Sequence, residues 1–245
     1  MSSIQGLVLI TDNRSATARA AAAHLLALGY RVALNHLGGE LVAGAASTIL
    51  DLTDETALAS WFDTCGDDLL AVIHPAPPPV HSSVAAATED EWRLAFQEGA
   101  LAALLITKTA GRYLTRLGRG CLIYLGSIHA EKPMGQGFLF SMGCSATQML
   151  CREAALDFGA KGVYAYYIQR GIQSDDLRHA NNLTNIYHAT ELRYPQKQLP
   201  GPDQLNGLLA YLLTEGAAPL NGADLRADSG LTLFYGHRRE GVGPV

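Results

Sequence analysis

The feature that most constrains this chain is a regular alternation of short apolar runs with longer helical patterns. Gly6–Thr11 (GLVLIT), Leu69–His74 (LLAVIH) and Gly120–Gly126 (GCLIYLG) are apolar and end in turns, which is typical of strands buried on both faces. Similar runs lie at Arg31–Asn35, Ser47–Asp51, Val163–Ile168 and Ala223–Ala227. Because helical patterns separate the runs, we expect an α/β fold, with a doubly wound parallel sheet of about seven strands and helices on both faces.

The helical patterns and one polar stretch complete the predicted organisation. Helices are predicted at Ala16–Gly29, Asp54–Thr64, Thr88–Gly111, Phe138–Phe158 and Asp203–Leu213. Residues 1–245 show no shift in composition and no repeat, so they are expected to form one domain. Ser174–Pro200 is polar and long for a loop in a compact domain, which predicts a lid or a binding segment.

Composition excludes several classes of function. Of the 245 residues, 48% are hydrophobic and 17% are charged, so the chain has enough apolar surface to fold. The net charge of −5 and the lack of a Lys/Arg cluster argue against nucleic-acid binding. No run of about 18 uncharged apolar residues predicts a membrane span. The four cysteines and eight histidines lack metal-binding spacing, so no metal site is predicted, and a cytoplasmic location is expected.

Several local patterns occur in one order along the chain. Trp92 lies in TEDEW, Ser127 precedes Phe140 by thirteen residues, and IQRG ends at Gly171. The stretch Asn221–Leu231 (NGADLRADSGL) follows near the end. In this order and at these separations the chain resembles the short-chain dehydrogenase/reductase family over nearly its whole length. The resemblance implies a Rossmann-like fold and a nicotinamide-dependent oxidoreductase ancestry.

The residues that this resemblance places at the catalytic positions differ from those of the family. The family transfers a proton through Tyr, lowers its pKa with Lys, orients the substrate with Ser and holds a water with Asn. Here the corresponding residues are Gly99 for Asn, Ser127 for Ser, Phe140 for Tyr and Cys144 for Lys. Phe carries no transferable proton, and Cys carries no fixed positive charge. No catalytic residue is therefore expected in this chain.

The family's cofactor-binding turn also differs. Its three glycine positions are occupied by Asp12, Ala16 and Ala18, which are expected to repel or crowd a pyrophosphate. Asn35 replaces the residue that binds the adenosine ribose, whereas Asp51 matches the residue near the adenine. Arg14 leaves open a weak contact with a nucleotide phosphate or a coenzyme A moiety. We therefore expect no cofactor in this chain and NAD(P) in a partner subunit.

These differences favour an inactive subunit that assembles with an active short-chain dehydrogenase, or with itself, as a hetero- or homo-oligomer. The apolar faces of Thr88–Gly111 and Phe138–Phe158 would form the interface. A second interpretation is an active oxidoreductase with non-standard catalytic residues, such as Tyr124. A third is a ligand-binding regulatory protein, with its ligand under Ser174–Pro200. Ser127 and His129 lie two residues apart, but no acid is placed to complete a hydrolytic triad with them.

Overall fold

The computed structural model describes residues 6–177 and 189–233, and a single parallel sheet runs through these residues. Its seven strands have the order β3-β2-β1-β4-β5-β6-β7, and every neighbouring pair is parallel. The strands are Leu7–Ile10 (β1), Arg31–Asn35 (β2), Ala46–Thr48 (β3), Leu69–Pro75 (β4), Gly120–Ser127 (β5), Val163–Arg170 (β6) and Asp224–Ala227 (β7). The predicted doubly wound α/β fold is confirmed.

Helices cover both faces of the sheet. They are Ala16–Ala27 (α1), Glu55–Asp63 (α2), Glu89–Phe96 (α3), Ala102–Leu117 (α4), Phe138–Phe158 (α5) and Asn206–Leu212 (α6). On one face Leu9 and Tyr167 pack with Leu58, Ile106 and Cys151 of α2, α4 and α5. On the other face, the side chains of β1 and β4 pack with those of α1 and α6. The central strands therefore bury alternate residues in two separate cores.

The structure departs from the sequence prediction in two places, and a third prediction stays untested. Strand β3 is shorter than predicted, and the described residues 36–45 that connect it to β2 contain no helix. The predicted helix Thr88–Gly111 is interrupted by a π-helical turn at Gln97–Leu101, which contains Gly99. The predicted lid Ser174–Pro200 lies partly outside the described residues, because these omit 178–188. None of the described helices is long and apolar enough to cross a membrane.

Candidate active site

A cleft opens at the carboxyl edge of the sheet beside β1 and β4. The chain leaves these neighbouring strands toward opposite sides, and parallel sheets bind ligands at such a switch point. A cavity of about 380 Å³ lies there, which is within the usual range for small-molecule sites. Residues lining it include Asp12, Arg14, Leu37, Leu50, Asp51, Leu52, His74 and Glu98.

The turn after β1 is held together by an ion pair between Asp12 and Arg14. The Asp12 carboxylate is buried and accepts hydrogen bonds from Nε and Nη2 of Arg14 at 2.9 and 2.7 Å. It also accepts the backbone N–H of Arg14 at 2.8 Å, and Arg14 Nη1 reaches Glu98 at 3.2 Å. Arg14 therefore offsets the negative charge of Asp12 within the turn and weakens the repulsion expected from it, although it also pairs with the Glu98 carboxylate.

The two alanines of this turn occupy different environments. Ala18 is fully buried and packs into the core between α1 and the sheet, so its methyl group points away from the cleft. Ala16 is half-buried and begins α1, directly behind the turn. Ser15 caps this helix by accepting the N–H of Ala18 at 3.3 Å. The predicted crowding therefore does not apply at Ala18, and the positive end of α1 faces the cleft.

Asn35 and Asp51 have separate roles. The buried Asn35 amide pairs with the backbone of Leu50, donating to its carbonyl at 3.1 Å and accepting its N–H at 3.0 Å. Asn35 therefore fixes the segment before Asp51 and is not a ribose ligand. The Asp51 carboxylate lines the cavity, and hydrogen bonds from the backbone and hydroxyl of Thr53 lower its pKa. Asp51 is thus an ionised acceptor at the rim of the cavity.

His74 is a buried titratable group in the floor of the cleft. Its Nδ1 lies 2.7 Å from the Thr11 hydroxyl. Burial lowers the pKa of His74 to about 4, although the nearby Asp12 carboxylate acts in the opposite direction. The imidazole is therefore neutral in the folded protein at every pH above this value.

The low pKa of His74 predicts a loss of stability in mild acid. Between pH 6.5 and 4 the unfolded chain binds a proton at this residue that the folded chain excludes. The free energy of unfolding should therefore fall by about 3 kcal/mol as the pH decreases through this range. Urea denaturation at several pH values measures the slope. His74→Gln, which keeps an acceptor for Thr11, should flatten it, and an unchanged slope in that variant would contradict the assignment.

The positions that correspond to the family's Ser, Tyr and Lys are brought together by α5 and β5. Ser127 is buried at the end of β5, and Phe140 and Cys144 are buried on α5. The Tyr167 hydroxyl accepts the N–H of Ser127 at 3.3 Å and donates to the Cys144 carbonyl at 3.2 Å. Burial raises the pKa of Cys144 to about 12, so its thiol is neutral. Gly99, at the position of the family's Asn, lies against Gly143 of α5.

His129 is a functional candidate, although its sequence pattern with Ser127 indicates only an incomplete hydrolytic triad. Its ring lies edge-on to the Phe140 ring, with centroids 6.3 Å apart, and its backbone N–H donates to Ser127 Oγ at 3.2 Å. Its Nδ1 is 2.9 Å from the Lys132 carbonyl, which can only accept a hydrogen bond. The hydrogen therefore lies on Nδ1, and Nε2 carries the lone pair that can accept a proton.

The surroundings of His129 keep it neutral. Burial lowers its pKa, as do the positive charges of Arg170 and Arg193, while the hydrogen bond to Lys132 and the Asp176 carboxylate act in the opposite direction. The spacing of His129 from Ser127 could have indicated this site, but its tautomer and environment come from tertiary contacts. A neutral imidazole two residues beyond the Ser127 hydroxyl is a candidate general base.

A cation that the family carries on α5 lies on β6 in this chain. Arg170 is the last residue of β6 and is directly opposite Ser127 in the strand register. Its guanidinium pairs with both oxygens of Asp176, at 2.6 and 2.9 Å, and its charge acts on the Cys144 thiol. Tyr124, the earlier candidate, lies in the core instead, where its hydroxyl is 2.6 Å from that of Thr107.

This fold and cleft define a short-chain dehydrogenase/reductase. A family model described as enoyl-(acyl carrier protein) reductase matches residues 12–232, and the chain belongs to this family. Among curated proteins, the 3-oxoacyl-[acyl-carrier-protein] reductase MabA of Mycobacterium tuberculosis is 22% identical over 231 residues, which cover 93% of each chain. Cis-4-hydroxycyclohexanecarboxylate dehydrogenase of Sinomonas cyclohexanicum is 25% identical over 190 residues, or 74% of each chain.

Solved structures share the same fold. Levodione reductase superposes with a TM-score of 0.85 at 16% identity, covering 95% of this chain and 99% of its own. ElxO, solved with NADP bound, has a TM-score of 0.84 at 16% identity, covering 94% of this chain and all of its own.

The expectation that this chain carries no cofactor is wrong. The family match and the likeness to ElxO, which binds NADP, overturn it. The structure supplies the physical reason, because Arg14 offsets the charge of Asp12 and the methyl group of Ala18 lies in the core. The cavity beside Asp51 and Leu52 also remains open.

Proposed function

We propose that this chain is an NAD(P)-dependent oxidoreductase that oxidises a secondary alcohol, with His129 as the proton acceptor. The observation that carries this proposal is a neutral imidazole with its lone pair on Nε2, on a residue whose backbone N–H donates to Ser127 Oγ. The relatives named as reductases and as a hydroxycyclohexanecarboxylate dehydrogenase support this reaction class. The proposed mechanism differs from that of the family in the group that accepts the proton, which is His129 here and Tyr in the family.

The cleft residues fit a nicotinamide dinucleotide. Asp51 and Leu52 would hold its adenosine half, and Arg14 with the N-terminus of α1 would hold its phosphates. When bound, the cofactor supplies the hydride acceptor for the alcohol carbon. Arg14 pairs with Asp12 through Nε and Nη2 and with Glu98 through Nη1 at 3.2 Å, so it would bind a phosphate by exchanging its Glu98 contact.

The remaining chemistry is performed by the chain's own residues. Ser127 Oγ accepts a hydrogen bond from the backbone N–H of His129. The Ser127 hydroxyl hydrogen can therefore be donated to the substrate oxygen and orient it. Nε2 of His129 then accepts the hydroxyl proton as the carbonyl forms. The Lys132 carbonyl, which accepts the Nδ1 hydrogen, stabilises the imidazolium that results. The Phe140 ring fixes the plane of the imidazole from the side.

Binding and turnover test this proposal directly. Fluorescence titration with NADH and NADPH should show saturable binding of at least one of them. Arg14→Gln should weaken that binding, whereas Arg112→Gln on the exposed side of α4 should leave it unchanged. Oxidation of cis-4-hydroxycyclohexanecarboxylate and related alcohols should then be measurable with the cofactor that binds. Failure to bind either cofactor would overturn the proposal.

The protonation of His129 predicts the pH profile of the reaction. Its pKa is lowered, chiefly by burial, so the base is available at neutral pH and is lost only in acid. We expect kcat/KM for alcohol oxidation to rise with pH through an apparent pKa below 6.5 and to be level above it. A profile that instead rises near pH 10 would indicate a tyrosine base and contradict the role of His129.

A second candidate function is that of a subunit that assembles with an active homologous short-chain dehydrogenase, as in the heteromeric 2-[hydroxy(phenyl)methyl]succinyl-CoA dehydrogenase. One observation favours it. Large apolar side chains on α3, α4 and α5 are about half exposed, namely Trp92, Leu94, Phe96, Leu104, Met142 and Met149. Monomeric proteins rarely expose large apolar patches, and such patches often mark sites of protein–protein interaction.

This candidate predicts the effect of a charge on α5. Met149→Glu should dissociate the assembly, because an unpaired charge in a packed interface costs several kcal/mol. Leu41→Glu, at an exposed residue in the β2–β3 connection, is the control and should leave assembly intact. Size exclusion and native mass spectrometry, with and without a co-expressed homologue, measure the species. A wild-type chain that stays monomeric in both settings would exclude this function.

A further inference from the structure

The segment that contains Arg193 and Tyr194 packs close to His129, at the same end of the sheet. The Tyr194 hydroxyl donates to the Ile172 carbonyl at 2.5 Å, two residues beyond the end of β6. The Tyr194 ring packs with Ile128, Leu199 and Leu231 in a separate buried cluster. Ile128 precedes His129 in the chain, and Tyr194 follows Arg193. The cluster therefore holds the backbone next to Arg193 against the backbone next to His129.

The charges at this end of the cleft do not balance. Arg170 is paired with Asp176 and is largely buried. Arg193 is exposed and has no ion-pair partner among residues 6–177 and 189–233. Within the described part of the chain, both cations act electrostatically on His129, and Asp176 is the only carboxylate that does so. The surroundings of the candidate base are therefore positive, although the whole chain has a net charge of −5.

We propose that the substrate carries a carboxylate and that the Arg193 guanidinium binds it beside the Ser127–His129 pair. This inference rests on the proposed function, because it names the substrate class of the same site. An arginine side chain binds a carboxylate through two parallel hydrogen bonds, which fixes orientation as well as charge. Arg170 cannot take this role, since Asp176 already occupies both sides of its fork. A hydroxy acid bound in this way would present its alcohol to Ser127 and His129.

The first test uses a carboxylate that cannot be oxidised and needs no cofactor. The His129 ring protons are followed by NMR from pH 4 to 8, with and without cyclohexanecarboxylate. A bound carboxylate should raise the pKa of His129 saturably, because it adds a negative charge nearby. Cyclohexanol should not do so. Arg193→Gln should abolish the shift, and Arg193→Lys should retain part of it. A shift of the same size in Arg193→Gln, or none in the wild-type chain, would overturn the proposal.

The second test separates this proposal from the proposed function. With cis-4-hydroxycyclohexanecarboxylate, Arg193→Gln should raise KM about 10- to 100-fold, the range expected for a lost charged hydrogen bond. With cyclohexanol its KM should not change. A carboxylate-dependent NMR shift without turnover would refute the dehydrogenase and retain the anion site. Turnover of cyclohexanol as efficient as that of the acid, with no NMR shift, would refute the anion site alone.

Discussion

Replacing His129 by Gln should lower kcat for alcohol oxidation by about 10²- to 10⁴-fold, which is the usual contribution of a general base. Gln retains a polar side chain of similar size, but it cannot accept the proton. Binding of the dinucleotide should be unchanged, because the cofactor cavity lies beside Asp51 and His74, and His129 is not among its lining residues. The pH dependence below 6.5 should disappear together with the rate.

Two further variants make this prediction specific. His81→Gln changes an exposed histidine in the loop after β4 and should leave kcat unaltered. His129→Gly should be inactive alone and should regain part of its rate with added imidazole, which can occupy the vacated space. Stopped assays in both directions, with circular dichroism to confirm folding, provide the measurement. A His129→Gln enzyme with wild-type kcat would show that another group moves the proton.

Replacing Gly126 by Ala should destabilise the protein by about 3 kcal/mol, at the upper end of the overpacking range. A methyl group on Gly126 would overlap the Tyr167 ring, which crosses the strand at this residue. The ring cannot move aside, because it is fully buried and its hydroxyl is held by Ser127 and Cys144. Any shift of Tyr167 would also displace the Ser127 backbone, so kcat should fall in the molecules that remain folded.

The matched control for this variant is Gly207→Ala on α6. Apart from its chain neighbours and the backbone of its own helix, no atom of the described residues lies within 4 Å of a methyl group there, so the change should stabilise the helix by up to about 1 kcal/mol. Urea denaturation of both variants gives the midpoint and the slope, which separates stability from a change in the unfolded state. A Gly126→Ala protein as stable as the wild type would mean that the Tyr167 ring has another place to lie.

The sheet could be predicted because few folds other than a parallel α/β sheet accommodate apolar strands that alternate with helices. The prediction failed at β3, where the apolar residues of Ser47–Asp51 suggested a longer strand. Ile49 is 77% exposed, and the backbone of Leu50 pairs with the Asn35 side chain in place of a strand ladder. The break at Gly99 was also missed, since a π-helical turn changes the hydrogen-bond register without a clear signal in composition.

The roles of the predicted site residues stay a prediction. Ser127 and Cys144 both contact Tyr167, whose hydroxyl accepts the Ser127 N–H and donates to the Cys144 carbonyl. The charge of Asp12 was misjudged, because only the folded turn shows Arg14 curled back onto it. The His129 tautomer likewise depends on the Lys132 carbonyl, and the surrounding field depends on Arg170 and Arg193 from other segments. Contacts of this kind are distant in sequence or depend on loop geometry, so spacing alone does not reveal them.

The position of Arg170 limits how this chain could revert to the usual family arrangement. A single Cys144→Lys change would bury a second cation within the electrostatic reach of Arg170. Two like charges in a poorly solvated place oppose each other, so the new lysine would lose its proton or push α5 outward. A library randomised at both residues and selected for turnover should therefore enrich one cation at a time. Moving the cation from residue 170 to residue 144 by single mutations would therefore pass through a less stable protein.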